Sequence, residues 1–393
     1  MSTNHDADLD TILRTWRHDL HRHPETAFTE HATAERIAGI LTDLGFDVTT
    51  GIGGTGLVGS LTRGRGQKTI GLRADMDGLP LTEREDRDHR SRNDGAMHAC
   101  GHDGHMTMVL GAAKVLAEFG GFDGTVRVVF QPAEEPGKGA LAMLADGLAA
   151  RFPMDAIFGL HNIPGLPTGQ IHVRPGAIMA SEDNFTITIT GRGGHASAPH
   201  LVIDPLVVAA EIILALQSIV ARNVDPQHAA VLSCTTIETD GSRNAIPGQV
   251  VIKGDTRTFD TAVSALLEER MRAIVDGICT AHGAKGTVTY THEFEPTIND
   301  PQCTADALAA ARAALGPEAV IDDCAPIMAS EDFAAFARAI PACFAFIGNG
   351  TELGRGGTPL HSRDYDFNDD ILRAGVDYYV TLVRQALPEG MAR

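Results

Sequence analysis

Residues 97–105 read MHACGHDGH, which sets three histidines, a cysteine and an aspartate within nine residues, with two glycines between them. Imidazole and thiolate are borderline-soft donors that suit zinc and its transition-metal neighbours. Glycine lets the backbone turn tightly enough to aim such side chains inward. A loop this short does not close a site alone, and donors of the same kind recur further along. Glu134 and Glu135 follow a predicted strand in QPAEEPGKGA, His161 ends the next strand in GLHN, and His361 lies in PLHSRDYDFND. Sites in open α/β sheets form beyond the carboxyl ends of strands, so distant segments can meet there. Two adjacent glutamates point different ways, so one can ligate while the other takes a proton from bound water. That combination is metal-assisted hydrolysis with a general base. Taken singly, the glutamate pair reads as a solvated helix start and His161 as a satisfied core histidine. Their conjunction with the cysteine-histidine loop reverses both readings.

The elements that must hold these residues are legible as periodicities. Leu9, Ile12, Leu13, Trp16 and Leu20 predict an amphipathic helix over 8–22, ended by Pro24. Ile37, Ile40, Leu41 and Leu44 predict a second, stopped by Gly45. Short apolar runs (FDV, GLVGSL, TIGLRAD) precede a helix expected from Met106 to Phe119. TVRVVF and AIFGL read as buried strands flanking a helix over 137–149. Strands that are near-continuous apolar runs, alternating with helices, indicate an α/β fold with a mixed, largely parallel sheet and helices on both faces. At about residue 180 the texture changes. FTITITGRG alternates, with Phe185, Ile187 and Ile189 on one face. A helix over 204–221, strands near 230–238 and 249–257, a helix over 262–281 and a strand over 286–293 complete a β-α-β-β-α-β order. That order is a ferredoxin-like α+β unit. The expected division is therefore 1–180 with 295–393 as a metal-binding catalytic domain, and 181–294 as an inserted domain.

Composition narrows the partners. Thirty-two basic against fifty-one acidic side chains give a formal charge of −19. This excludes phosphate-backbone binding to nucleic acid, which needs a basic face, and disfavours an anionic membrane surface. No apolar stretch approaches the roughly twenty residues of a bilayer span. The six cysteines form no C-x-x-C pair, and a polar, acidic start shows no signal peptide. A cytoplasmic enzyme with reduced thiols is the expectation.

The ordered motifs RHDLHRHPE, RADMDGLP, MHACGHDGH, QPAEE, GLHN, GGHASAPH, NAIPG, SEDF and HSRDYDFND resemble the M20 family of metallopeptidases and amidohydrolases. They resemble its cysteine-type branch of aminoacylase, hippurate hydrolase and auxin-conjugate hydrolase relatives, over nearly the whole chain. The resemblance implies that Cys100, His102, Glu135, His161 and His361 hold two divalent ions, with the Cys100 thiolate bridging. It implies Zn2+ or Mn2+, with Co2+ and Ni2+ also compatible, and Glu134 as general base. Other branches carry a histidine ligand in H-x-D-x-x-P, where this chain has Asp75-Met76-Asp77-Gly78-Leu79-Pro80. Asp75 and Asp77 are accordingly read as orienting the ligands, as is His105. The inserted domain would be a lid and dimerisation domain whose His195 reaches the metals of a partner subunit and holds the oxyanion. Asn244 and Arg257 match positions that contact the substrate's carboxylate, for which an arginine fork is suited. Without the resemblance, Arg257 reads as a surface strand residue.

The expected activity is a dinuclear amidohydrolase acting on N-acyl amino acids, as a homodimer. A dipeptidase or carboxypeptidase with the same machinery is the alternative, and a metal-binding homologue without turnover is another. GIGGTG at 51–56 satisfies the glycine pattern of a dinucleotide loop, but a strand-like LVGSL follows where a helix is required. A β-turn is the better reading. His18, His21 and His23 lack a carboxylate-rich partner segment in sequence and are assigned to surface or packing.

Overall fold

The N-terminal periodicity folds as α1 (Thr3–Arg22) and α2 (His31–Asp43). Leu13, Leu20, Ile37 and Leu41 are buried, at the spacing that turns one helical face to a core. Then follow β1 (Asp47–Ile52), β2 (Gly56–Arg63), β3 (Thr69–Asp75), α3 (His102–Phe119), β4 (Gly124–Gln131), α4 (Gly139–Ala145), β5 (Ala156–Pro164) and β6 (Ile171–His172). The structure is a computed structural model that describes residues 3–84 and 86–389. The chain divides into two units. One runs to Ile178 and takes in Ile298–Ala325 and the chain from Asp332 onward; the other comprises Met179–Thr297 and Pro326–Glu331.

The second unit is built from β7 (Glu182–Thr190), α5 (Pro205–Arg222), β8 (Ala230–Thr239), β9 (Gln249–Thr258), α6 (Thr261–His282) and β10 (Lys285–Phe294). Its sheet order is β8-β9-β7-β10 with every pairing antiparallel, which is the ferredoxin-like arrangement. Phe185, Ile187 and Ile189 pack against Val208, Ile212 and Leu216 of α5 and Leu267 and Met271 of α6. Contrary to the sequence reading, one helix of the described residues, Pro205–Arg222, has the length and apolar composition of a bilayer span. Its Val208, Ile212, Leu216 and Ile219 are instead buried in this unit's core.

The first unit resumes with α7 (Pro301–Leu315), β11 (Val320–Ile321), α8 (Phe333–Ala339), β12 (Ala342–Gly350) and α9 (Leu372–Ala386). Its eight strands run in the order β1-β2-β4-β3-β5-β12-β6-β11. The central β4, β3, β5 and β12 are mutually parallel, while β1, β2 and β6 join by antiparallel pairing. Side chains alternate across a strand. Leu72, Val128, Phe158 and Ala345 accordingly share a core with α1, α3, α7 and α9 residues such as Leu13, Val109, Ala307 and Tyr379. On the opposite face Phe344 packs against Phe333 of α8 with ring centroids 4.9 Å apart.

Two local findings bear on the site. α3 begins at His102 rather than at Met106. The cause is Gly101, whose φ of +100° turns the chain into the helix. A Cβ on Gly101 would lie 2.2 Å from Asn162 Oδ1, so only glycine fits. The second concerns α1. His21 is fully buried, with Nδ1 2.8 Å from Asp103 Oδ2, and buried Arg17 reaches Asp103, Asp366 and Asp369. His18 meets Asp369 at the rim. Packing is thus the role of His21, through a partner distant in sequence.

Burial by itself lowers the His21 pKa, but the Asp103 carboxylate overrides it and holds the group up at about 9. A folded pKa above the unfolded value of about 6.5 gives stability that is complete below 6.5 and lost as pH rises through the folded value. The melting temperature should therefore fall between pH ~6.5 and about 9, and His21→Asn should flatten that fall. An undiminished slope in the variant would assign the loss to another group.

Candidate metal centre

The donors predicted from four separate segments converge at the carboxyl ends of the parallel strands. Cys100 lies two residues before α3 and His102 opens it, Glu134 and Glu135 follow β4, His161 lies within β5, and His361 lies between β12 and α9. Cys100 Sγ is 3.4 Å from His161 Nε2. His102 Nε2 is 3.9 Å from a carboxylate oxygen of both Glu134 and Glu135. His361 Nε2 is 3.5 Å from Glu135 Oε2. Ligating atoms of Cys100, His102 and His161 form one cluster within 4.8 Å, and those of Cys100, Glu135 and His361 form a second. Cys100 belongs to both.

These residues fit divalent ions in more than type. His102 Nδ1–H donates to the Asp77 carbonyl at 2.8 Å, and His161 Nδ1–H donates to the Asn162 carbonyl at 2.7 Å. Each bond fixes the tautomer that turns the Nε2 lone pair to the cluster, the usual state of a ligating imidazole. His102 Nε2 and Glu135 Oε1 are buried without a sound hydrogen bond within the protein, which is costly unless a further group satisfies them. Burial pushes the Cys100 thiol well up, reinforced by Glu135, and lifts the Glu135 carboxyl to about 7 against the pull of His102. Burial lowers His161 well below its ordinary value, whereas Asp75 and Cys100 overcome burial at His102 and raise it. A bound cation would replace these protons.

Around the donors lies a shell of committed polar groups. Asp77 Oδ1 and Oδ2 accept the backbone N–H groups of Glu134 and Glu135 at 3.0 and 3.1 Å. Asp75 Oδ1 accepts from His105 Nδ1 at 2.7 Å and Oδ2 accepts from Arg73 at 2.8 Å. His105 Nε2 lies 2.7 Å from Asn162 Oδ1, and Asn162 Nδ2 donates to Tyr365 Oη. Asp332 of SEDF accepts from Gln131 Nε2 and Ala140 N at 2.6 and 3.0 Å, so it braces the segment that carries the glutamates. Arg73, Gln131, Asn162, Asp332 and Tyr365 were missed as supports. All five sit inside motifs singled out above, but nothing in the sequence shows whom they bond.

The remaining predicted residues lie in the second unit. His195 is exposed, on a two-stranded ribbon that pairs it with Ala245, next to exposed Asn244. His195 Nδ1 accepts the Ser197 N–H at 3.1 Å, which leaves the proton of a neutral ring on Nε2. Arg257 stands apart on β9, half-buried. Its guanidinium bonds Asp255 at 2.8 Å, Glu182 at 2.7 Å and the Met328 carbonyl at 3.0 Å.

A parallel α/β sheet with cysteine, histidine and paired glutamates gathered at its strand ends defines a metal-dependent hydrolase. Residues 71–385 match Peptidase family M20/M25/M40, and the chain belongs to that family as a metal-dependent amidohydrolase. It is 40% identical over 380 residues to a hippurate hydrolase of Campylobacter jejuni, covering 97% of this chain and 98% of the relative. It is 36% identical to thermostable carboxypeptidase 2 of Saccharolobus solfataricus, over 91% of each chain. The crystal structure of a dinuclear metal-binding M20 peptidase from Bacillus subtilis superposes with a TM-score of 0.83 at 32% identity, covering 97% of this chain and 99% of that one.

Asp77→Asn replaces one acceptor oxygen with an amide NH2 that opposes a backbone N–H. Metal affinity, measured by competition with a chromogenic chelator, should fall by roughly 10–100-fold, the usual cost of losing a ligand's support. Unchanged affinity would remove Asp77 from the site's support.

Proposed function

We propose that this chain is a dinuclear hydrolase of N-acyl amino acids, of N-acetyl, N-benzoyl or aryl-acetyl type, yielding a carboxylic acid and a free amino acid. The observation that carries this reading is the membership of Cys100 in two overlapping donor clusters, as expected of a thiolate shared between two ions. Cys100, His102, Glu135, His161 and His361 would hold the pair, of Zn2+ or Mn2+ or else Co2+ or Ni2+. When bound, such ions supply Lewis acidity and acidify water.

The protein's own groups account for the remaining steps. Glu134 takes the proton of the attacking water as its oxygen bonds the amide carbon. It delivers that proton to the nitrogen as the C–N bond breaks. Asp77 fixes the backbone of Glu134 and Glu135 together, so the base keeps a constant offset from its ligand neighbour. His195 presents Nε2–H to the oxyanion from the inserted lid domain of a partner chain in a homodimer. Asn244 and Arg257 take the substrate's carboxylate, for which Arg257 exchanges its bond to Glu182. Six unpaired cysteines accord with a reducing, cytoplasmic setting. The carboxypeptidase relative supports a second reading, peptide hydrolysis by the same groups. A screen of N-acetyl, N-benzoyl and indole-acetyl amino acids beside dipeptides, with each metal added back, separates the two.

Glu134→Gln should retain about two ions per chain and lose rate by roughly 10²–10⁴. Glu135→Gln should lose metal instead. Exchanged phenotypes would reverse the two assignments. Mixing His195→Ala with Glu134→Gln under subunit exchange should restore activity to at most about half per dimer, since two-fold symmetry leaves one intact composite site. No recovery despite exchange would confine His195 to its own chain or to no role.

A further inference from the structure

The backbone just before Glu134 is strained. Ala133 has φ +48°, and Phe28, more than a hundred positions earlier, has φ +60°. Both are non-glycine residues in the left-handed region, which L side chains avoid. One atom bonds both. Glu30 Oε1 accepts the Ala133 N–H at 2.9 Å and the Phe28 N–H at 3.0 Å. The other oxygen accepts the Thr55 hydroxyl. Glu30 is fully buried, so its carboxylate is there at a desolvation cost that these bonds offset.

Thr55 belongs to GIGGTG, the glycine motif with no role in the chemistry so far. The motif is the tight turn between β1 and β2, and it packs against the start of the glutamate segment, where a Cβ on Gly56 would lie 2.9 Å from Pro132 Cδ. A Cβ on Gly53 would lie 2.5 Å from the Met143 backbone nitrogen of α4. On the other side, the Ala133 carbonyl accepts the N–H groups of Lys138 and Gly139 at 3.2 and 3.0 Å. Ala133 is therefore gripped at both its amide and its carbonyl, and Glu30 supplies the amide side.

The geometry points to Glu30, anchored by Thr55, as a positioning residue that holds Ala133 in its left-handed conformation and so sets where Glu134 and Glu135 stand. The catalytic consequence rests on the reading of Glu134 as base; the conformational claim does not. Glu30 touches no donor atom of the cluster and acts through the backbone alone.

Glu30→Met keeps the length of the side chain and removes both acceptors. Hydrogen exchange should then rise at the amides of Ala133–Glu135 while β3 and α3 keep their protection. Metal should bind more weakly, and kcat should fall roughly 10–10²-fold at little change in KM, as a misplaced catalytic group costs. Glu30→Gln still accepts the two N–H groups and can donate to Thr55, so it should stay near wild type. The diagnostic step is Ala133→Gly in the Glu30→Met background. Glycine adopts the left-handed conformation freely, so it should recover roughly tenfold in kcat and metal affinity, the factor that an alanine's left-handed penalty represents. A general loss of stability would not be repaired in that way. If Glu30→Met does not fold, Thr55→Val should raise exchange at the same amides to a smaller extent. Unchanged exchange at Ala133–Glu135 in the folded variant, or no recovery from Ala133→Gly, overturns the assignment. Should Glu134 prove not to be the base, Glu134→Gln keeps its activity, while the exchange and metal readouts still judge Glu30.

Discussion

Asp77 joins the two halves of the donor set. Its carboxylate accepts the N–H groups of Glu134 and Glu135, and its carbonyl accepts His102 Nδ1–H. A single residue just beyond the end of β3 thus fixes the loop after β4 and the first residue of α3. Without those bonds the adjacent glutamates have no set orientation and His102 has no set tautomer. Charge-assisted bonds from a buried carboxylate are among the stronger ones available, and the donors' geometry depends on them.

The support extends by the same means. Buried carboxylates at Glu30, Asp75 and Asp332 each accept at least two hydrogen bonds from separate segments. Each is expensive to bury unless it is paired or hydrogen-bonded. A donor set drawn from four distant segments needs such cross-links, because packing alone does not fix the direction of a loop. Asp103, the residue immediately after His102, acts in the same way by tying α3 to His21 and Arg17 of α1.

The second unit divides its predicted residues. His195 and Asn244 adjoin on one short ribbon, where an exposed imidazole with its proton on Nε2 suits donation to a substrate. Arg257 is enclosed by two carboxylates. A substrate carboxylate would have to displace one of these ion pairs, each a single N–H···O contact. That difference, rather than any likeness in sequence, separates the roles the three residues can take.

The sequence by itself determined the chemistry and most of the architecture. Cysteine, histidine and glutamate have few uses in such density, and alternation or helical recurrence follows from backbone geometry that each segment carries alone. Thus MHACGHDGH, QPAEE and the 185–190 strand were legible. What tertiary structure decided was pairing between distant residues. Sequence places Glu30 beside α2, and only the fold brings it to Ala133; His21 read as packing, and only the fold supplied Asp103. GIGGTG reads as a turn and is followed by β2 rather than by a helix, yet its approach to the glutamate loop depends on β1 and β2 lying at the edge next to β4. Hydrogen-bond partners across a hundred residues leave no local period, because the bond constrains three-dimensional position and not spacing along the chain.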